Sequence, residues 1–61
     1  MQIQVKADEL QVDDIYKGRK IVMVDLSGIS VAVVEFEVGK SKAFNKSDEL
    51  LVERNVERIE Q

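Results

Sequence analysis

Three glycines divide the chain at nearly equal intervals, and this spacing constrains the fold more than any other feature of the sequence. They lie at Gly18, Gly28 and Gly39, ten and eleven residues apart. Valine- and isoleucine-rich runs of strand length separate them, and turn signals at such intervals indicate antiparallel strands joined by short turns. The chain contains no proline, so no strand includes a residue that cannot donate to the hydrogen-bonded ladder. The pattern predicts a β-meander.

The alternation of apolar and polar residues predicts where the strands lie. We expect strands over residues 2–6, 12–16, 20–26, 29–37 and 41–44, with a turn or a single helical turn at 7–10 and turns at Ser27-Gly28 and Val38-Gly39. The 61 residues are enough for one domain only. The predicted fold class is therefore all-β, a small five-stranded bent antiparallel meander that closes toward an SH3-like barrel.

The C-terminal segment admits two interpretations. Val52, Val56 and Ile59 have the spacing of a helical stripe, which predicts, as the alternative fold, an antiparallel sheet covered by a helix over residues 48–60. Several pairs of like charges four residues apart disfavour that helix. We therefore prefer a closing strand over residues 50–53.

Charge pairing across the two turns predicts the strand register. Two-residue turns at Ser27-Gly28 and Val38-Gly39 place Glu35 opposite both Lys20 and Lys42, and each such pair contributes about 0.2–1 kcal/mol. A slip of one residue would send every side chain to the opposite face of the sheet. This register assigns one face to the core, and its residues are Val22, Val24, Leu26, Ile29, Val31, Val33 and Phe44.

The same register gives the central strands a second apolar face. This face carries Ile21, Met23, Ala32, Val34 and Phe36 and is too apolar to be left in water. A domain of this size gains little net stability from its own core, and the chain has no cysteine or histidine that would add a disulfide or a metal. We therefore expect the protein to form a homo-oligomer through these five residues.

Residues with the chemistry for catalysis or metal binding are scarce. Without cysteine and histidine, the chain lacks thiolates, imidazole ligands and the usual general base. The pairs Asp13-Asp14 and Asp48-Glu49 lack the alternating spacing and the glycine of an EF-hand loop, and the four serines have no histidine partner. We expect no catalytic residue, no metal site and no cofactor.

The basic residues are concentrated in two short segments. Nine basic and twelve acidic residues give a net charge of −3, and six of the nine lie within residues 16–20 and 40–46. Each segment also contains an aromatic residue, a combination that suits single-stranded nucleic acid. The predicted register assigns Lys20 and Lys42 to Glu35 and Lys40 to Glu37. The remaining candidates for ligand or nucleic-acid contact are Tyr16, Lys17, Arg19 and Lys46.

These observations predict a non-enzymatic protein-binding or accessory module. A negative net charge disfavours sequence-independent coating of nucleic acid, so a nucleic-acid-binding SH3-like barrel that uses the basic hairpin turns is the alternative. The chain has no apolar run long enough to span a membrane, and its start lacks an apolar stretch of signal-peptide length. A protein partner, no membrane and a cytoplasmic location are therefore expected.

The first half of the chain resembles a known group of small proteins. The segment VKADELQVDDI at residues 5–15, followed by Gly18 and the strand IVMV at residues 21–24, resembles short phage and prophage proteins. Those proteins begin with a strand, a tight turn and a hairpin, and they usually have glycine where this chain has Asp13. The resemblance implies a small SH3-like barrel without established chemistry, and no functional residues are carried over.

Overall fold

This computed structural model describes residues 1–54 of the chain, and this part contains six antiparallel strands. The strands are β1 (Gln2–Lys6), β2 (Ile15–Tyr16), β3 (Arg19–Asp25), β4 (Val31–Phe36), β5 (Ser41–Asn45) and β6 (Glu49–Glu53). A short 3-10 turn, Ala7–Glu9, follows β1. The strand order is β1-β6-β2-β3-β4-β5, so the sheet is open and β1 and β5 are its two edges.

The all-β prediction is confirmed. The helical turn after β1 is present, and most strands lie within two residues of their expected bounds, although β2 begins at Ile15 rather than Val12. The strands number six rather than five, because the closing strand β6 joins the five that the glycine spacing predicts. The tail is thus a strand over residues 49–53, and the rest of the alternative helix, residues 55–60, lies outside the described residues. The SH3-like form of the barrel stays a prediction.

The core draws residues from both halves of the sheet. Its buried apolar residues are Ala7, Leu10, Ile21, Ala32, Val34, Phe36, Phe44, Leu50 and Val52. Strand β6 contributes by strict alternation, since Leu50 and Val52 are buried while their neighbours are exposed. These two residues pair with Val5 and Ile3 of β1, which are partly buried against the core. The first and last described strands therefore close the same core as the central hairpin.

The face predicted for self-association is the core face of β3 and β4. Ile21, Ala32 and Val34 are fully buried and Phe36 is 3% exposed within the single chain, whereas Met23 is 38% exposed. Four of the five predicted interface residues are thus covered by their own chain and are unavailable to a second copy. This corrects the predicted interface, and the homo-oligomer itself stays a prediction.

The face predicted as the core is largely the outer face of the same strands. Val22, Leu26 and Ile29 are exposed, Ile29 at 99%, and Val31 and Val33 are half-buried. Only Phe44 is fully placed as expected, with Val24 partly buried against the core. On β4 and at Ile21 the two faces are therefore exchanged relative to the prediction. Phe44 lies opposite Ala32 rather than Val33, because the turn before β5 is longer than expected.

The turn between β4 and β5 has three residues rather than two. The Phe36 N–H donates to the Lys40 carbonyl at 2.7 Å, and the Gly39 N–H donates to the Phe36 carbonyl at 2.9 Å. Gly39 has a φ of 80°, the left-handed conformation that a three-residue hairpin loop requires at its last position. The extra residue shifts the register by one, so that Glu35 pairs with Ser41 and not with Lys42.

The connection between β3 and β4 is also longer than two residues. Residues 26–30 form a loop, and a bulge between Ile21 and Met23 shifts the ladder, so that Val24 pairs with Val34. The Asp25 carboxylate accepts a hydrogen bond from the Ser27 N–H at 2.9 Å, which lowers the pKa of Asp25. The expected ladder of Glu35 between two lysines does not form anywhere in residues 1–54.

One buried ion pair joins the loop before β2 to the end of β6. Asp14 is 2% exposed, and Arg54 donates to it twice, from Nε to Oδ1 at 2.8 Å and from Nη2 to Oδ2 at 2.7 Å. The Gln11 N–H donates to Oδ2 at 3.0 Å, and Arg54 also reaches the carbonyl of Glu9 at 3.2 Å. Bidentate pairs of this kind are among the strongest side-chain hydrogen bonds. The sequence pattern places Asp14 within the expected strand 12–16 and indicates no partner for it.

The same contacts determine the protonation of Asp14. Burial raises the pKa of this carboxyl group, but the hydrogen bonds from Arg54 and Gln11 and the charge of Arg54 together outweigh burial. The pKa of Asp14 therefore lies below its ordinary value. A lowered folded-state pKa means that the ionised carboxylate adds stability above the unfolded pKa of about 4. That stability is lost as the pH falls through the folded-state pKa.

We predict that Asp14→Asn lowers the free energy of unfolding by about 3 kcal/mol at neutral pH, because it leaves a partly buried guanidinium without its carboxylate. The variant should also lose part of the wild-type decline in stability that occurs as the pH falls below about 5. Urea titrations at several pH values measure both effects, and Asp8→Asn, at an exposed residue, is the matched control. Parallel pH profiles for wild type and Asp14→Asn would contradict the prediction.

Asp13 has a φ of 81°, a conformation that favours glycine. We predict that Asp13→Gly is more stable than Asp13→Ala by about 1 kcal/mol, because only glycine adopts this conformation without strain. Both variants lose the exposed contact between Asp13 and Lys20 at 3.8 Å, so the comparison isolates the backbone effect. Thermal unfolding of the two variants measures the difference, and equal midpoints would show that the position is unstrained.

Candidate functional site

The β2–β3 hairpin presents a basic turn. Lys17 and Gly18 both have positive φ, 51° and 79°, as the two central residues of a type I′ turn require. Such a turn matches the twist of the flanking strands and places Tyr16 directly opposite Arg19. One aromatic and two cationic side chains are therefore held close together by local structure alone.

The three aromatic residues of the chain meet beside this hairpin. The ring centroids of Tyr16 and Phe36 are 6.3 Å apart with nearly parallel planes, and Phe44 approaches Tyr16 edge-on at 5.6 Å. They come from β2, β4 and β5. Phe36 and Phe44 are buried and Tyr16 is half-buried, so Tyr16 alone offers aromatic surface to a ligand.

Two lysines lie over this aromatic cluster. The Nζ of Lys17 is 5.4 Å from the centroid of the Tyr16 ring, and the Nζ of Lys42 is 5.6 Å from that of Phe44. Cation–π contacts at exposed sites contribute about 0.5–1 kcal/mol each. They are weak enough for an anionic ligand to compete for either ammonium group.

These side chains line one cleft, which we call the basic cleft. Its volume is about 260 Å³, and it is lined by Tyr16, Lys17, Arg19, Phe36 and Lys42. No acidic residue lines it, and none of its three cations forms an ion pair with another residue in the described part of the chain. A protein with a net charge of −3 thus carries a local concentration of positive charge.

A second cleft lies on the other side of Tyr16 and Lys17. Its volume is about 330 Å³, and it also contains Gln2, Glu49, Leu50 and Leu51. Glu49 accepts a hydrogen bond from the Gln4 amide at 2.8 Å. With one carboxylate and one lysine, this cleft has no net charge preference, and the basic cleft is the better site for an anion.

The structure brings together three of the four residues proposed from the sequence for ligand contact. Tyr16, Lys17 and Arg19 line the basic cleft, but Lys46 does not. The Nζ of Lys46 donates to the Leu26 carbonyl at 3.0 Å, and its N–H donates to the Ser30 carbonyl at 2.9 Å. Lys46 therefore holds the β3–β4 loop in place through two hydrogen bonds.

Lys42 is the cleft residue that the sequence reasoning missed. A two-residue turn assigned it to Glu35, whereas the three-residue turn places it opposite Val34 and over Phe44. Gly39, as the third residue of a loop that begins at Glu37, is the sequence signal for the longer turn.

Metal sites and membrane spans are the remaining features to consider in residues 1–54. Within them, no cluster of three or more acidic side chains is arranged to hold a metal ion. No helix in this part of the chain has the length and apolar character needed to cross a membrane.

Neither a family model, nor a curated protein, nor a solved structure matches the chain. What the protein binds therefore has to be inferred from the residues of the cleft.

The different environments of two lysines generate a prediction. Lys46→Met should lower the free energy of unfolding by about 1 kcal/mol, because it removes the hydrogen bond to the Leu26 carbonyl and keeps the aliphatic stem. Lys17→Met should change it by less than about 0.5 kcal/mol, as is usual for exposed positions. Chemical denaturation of both variants tests the assignment. The reverse ranking would mean that Lys17 has the structural role.

Proposed function

We propose that the protein is a non-enzymatic binding module whose basic cleft holds a short stretch of single-stranded nucleic acid. The observation that carries the proposal is the convergence of Lys17, Arg19 and Lys42 around the exposed part of Tyr16. Proteins that bind single strands combine a positive groove for the phosphates with an aromatic ring for a base. The basic cleft has both parts.

The cations of the cleft are suited to phosphate. Their charges are not used by carboxylates in the described residues, so a phosphate would not have to displace an existing ion pair. Arg19 adds a planar donor group that can hold two phosphate oxygens at once. Lys17, in the turn above the Tyr16 ring, and Lys42, on β5 above the neighbouring Phe44 ring, supply point charges.

Tyr16 supplies the stacking surface. Phe36 and Phe44 support the ring from inside the core, which reduces the entropy lost when a base stacks on it. Lys17 covers the ring in the free protein, and its movement to a phosphate would uncover the ring face for a base. One such stack is worth about 1–3 kcal/mol.

A single strand fits this site better than a duplex. Stacking requires a base whose face is accessible, and paired bases do not offer one. The negative net charge also opposes the many phosphate contacts by which proteins coat duplex DNA. Three cations and one ring are suited to a few nucleotides.

We rank the two predicted functions differently in view of Lys42. The sequence favoured a protein partner because the net charge is negative and because three lysines, Lys42 among them, were assigned to glutamates, whereas Glu35 pairs with Ser41. The addition of Lys42 to Tyr16, Lys17 and Arg19 now favours nucleic acid at this cleft. The proposal of a protein partner moves to another surface, the edge of β5.

Removal of charge and removal of the ring should have different effects on binding. With three phosphate contacts, the logarithm of the association constant for a dye-labelled oligothymidylate should fall with the logarithm of salt concentration with a slope of about −2. Lys17→Met, Arg19→Gln and Lys42→Met should each reduce that slope by about 0.7. Tyr16→Leu should weaken binding about tenfold and leave the slope unchanged. Fluorescence anisotropy over a salt series measures all four variants.

Lys6→Met is the matched control, since Lys6 is exposed on β1 and lines neither cleft. It should bind as the wild type does. Equal weakening by Lys6→Met and Lys17→Met would indicate non-specific attraction. Unchanged binding by the variant that lacks Lys17, Arg19 and Lys42 together would exclude the cleft. Circular dichroism establishes that each variant remains folded.

A further inference from the structure

The hydrogen bonds at the two ends of β5 show which of its backbone groups face away from the sheet. The Phe36 N–H donates to the Lys40 carbonyl at 2.7 Å, and the Lys46 N–H donates to the Ser30 carbonyl at 2.9 Å. Antiparallel ladders alternate between residues that bond to the neighbouring strand and residues that do not. Lys42 and Phe44 therefore bond to β4. The alternate residues of β5, which are Ser41, Ala43 and Asn45, point their N–H and C=O groups outward.

The outward groups of Ser41 and Ala43 pair with no strand of residues 1–54. Strand β5 is the last in the sheet order, and its only partner there is β4. Asn45 is already engaged, since its N–H donates to the Asp48 carboxylate at 3.2 Å and its carbonyl accepts from the Asp48 N–H at 2.9 Å. Ser41 and Ala43 are exposed. An edge of unpaired donors and acceptors is a template for an added strand.

Charge determines which strand this edge can accept. Lys40, Lys42 and Lys46 lie on or beside β5, and residues 40–46 contain no acidic residue. A second copy paired antiparallel about Ala43 would place Lys40 opposite Lys46 at both ends, and like charges in opposed positions are destabilising. Edge lysines commonly prevent such self-pairing. The complementary strand is acidic.

The two faces of β5 determine the side-chain pattern of that strand. Lys42 shares its face with Phe44 and the basic cleft, so partner residues on this face should be acidic. On the outer face, Ala43 pairs with Val33, and Asn45 pairs with the half-buried Val31. Partner residues on that face should be apolar, because they would extend this stripe.

We propose that the β5 edge is a strand-addition site for an extended segment of a partner protein in which acidic and apolar residues alternate. Backbone hydrogen bonds to Ser41 and Ala43 supply affinity, and the pairing of acidic residues with the lysines supplies specificity. The proposal does not depend on nucleic-acid binding in the cleft, although both use Lys42.

Amide hydrogen exchange tests the edge directly. The probe is an acetylated, amidated heptapeptide of alternating glutamate and valine, and the control peptide has the same composition in block order. At saturation, the alternating peptide should slow exchange of the Ser41 and Ala43 amides by about tenfold. The Lys42 and Phe44 amides, already bonded to β4, should change little. Equal protection by both peptides would overturn the proposal.

A chemically matched ligand separates strand addition from simple charge attraction. N-methylation of the peptide at the residues that face the edge keeps its charge and removes its donors, so protection should be lost. Retained protection would overturn the proposal. Ala43→Pro removes an outward N–H that the ladder does not use; it should abolish peptide protection and leave oligonucleotide binding unchanged.

Two further outcomes identify a different occupant of the edge. Protection of the Ser41 and Ala43 amides by an oligothymidylate of equal charge would show that the edge belongs to the nucleic-acid site. Protection that rises with protein concentration in the absence of peptide would show that a second copy pairs there. Either result contradicts the proposal for the edge, and neither depends on whether the cleft variants change oligonucleotide binding.

Discussion

The bidentate pair between Asp14 and Arg54 is the contact on which the closure of the fold depends. Forty residues separate the two groups, whose atoms approach to 2.7 and 2.8 Å. The backbone of the same segment binds β3, since the Ile21 N–H donates to the Asp14 carbonyl and the Asp13 N–H donates to the Ile21 carbonyl, both at 2.8 Å. One short segment is therefore bonded through its main chain to the central hairpin and through a side chain to the end of β6. Because β6 lies between β1 and β2, this junction determines how the terminal strands meet the core.

The strands could be predicted from the sequence, but which face is buried could not. Alternation identifies strands wherever apolar residues recur, and it recurs on both faces of β3 and β4 here. Charge pairing was the remaining guide to the register, and such a pair contributes about 0.2–1 kcal/mol. Burial of one large aliphatic or aromatic side chain contributes about 1.5–3 kcal/mol, and Ile21, Val34 and Phe36 are buried together. The larger contribution decides the register, and a three-residue turn with Gly39 at positive φ makes that register possible.

The same distinction explains which parts of the site could be predicted. Tyr16, Lys17 and Arg19 belong to one two-residue hairpin, so their proximity follows from local sequence. Lys42 enters the cleft only because of the register of β5 against β4. The Asp14–Arg54 pair requires contact across forty residues, and no local pattern indicates it. The structural role of Lys46 could not be predicted for the same reason, since its partner carbonyl at Leu26 is twenty residues away.

Lys42 lies where the basic cleft meets the β5 edge, so the two proposed ligands share one charge. A glutamate of an added strand that pairs with Lys42 would leave Lys17 and Arg19 as the cations of the cleft. Two phosphate contacts in place of three would reduce the salt slope for nucleic acid by about 0.7. Linkage requires the reverse effect to be equal, so bound nucleic acid must weaken the peptide by the same factor. The peptide does not bind Tyr16, so stacking should persist in its presence. Partial competition, with a reduced slope and an intact ring contribution, is therefore the behaviour that this geometry dictates if both proposals hold.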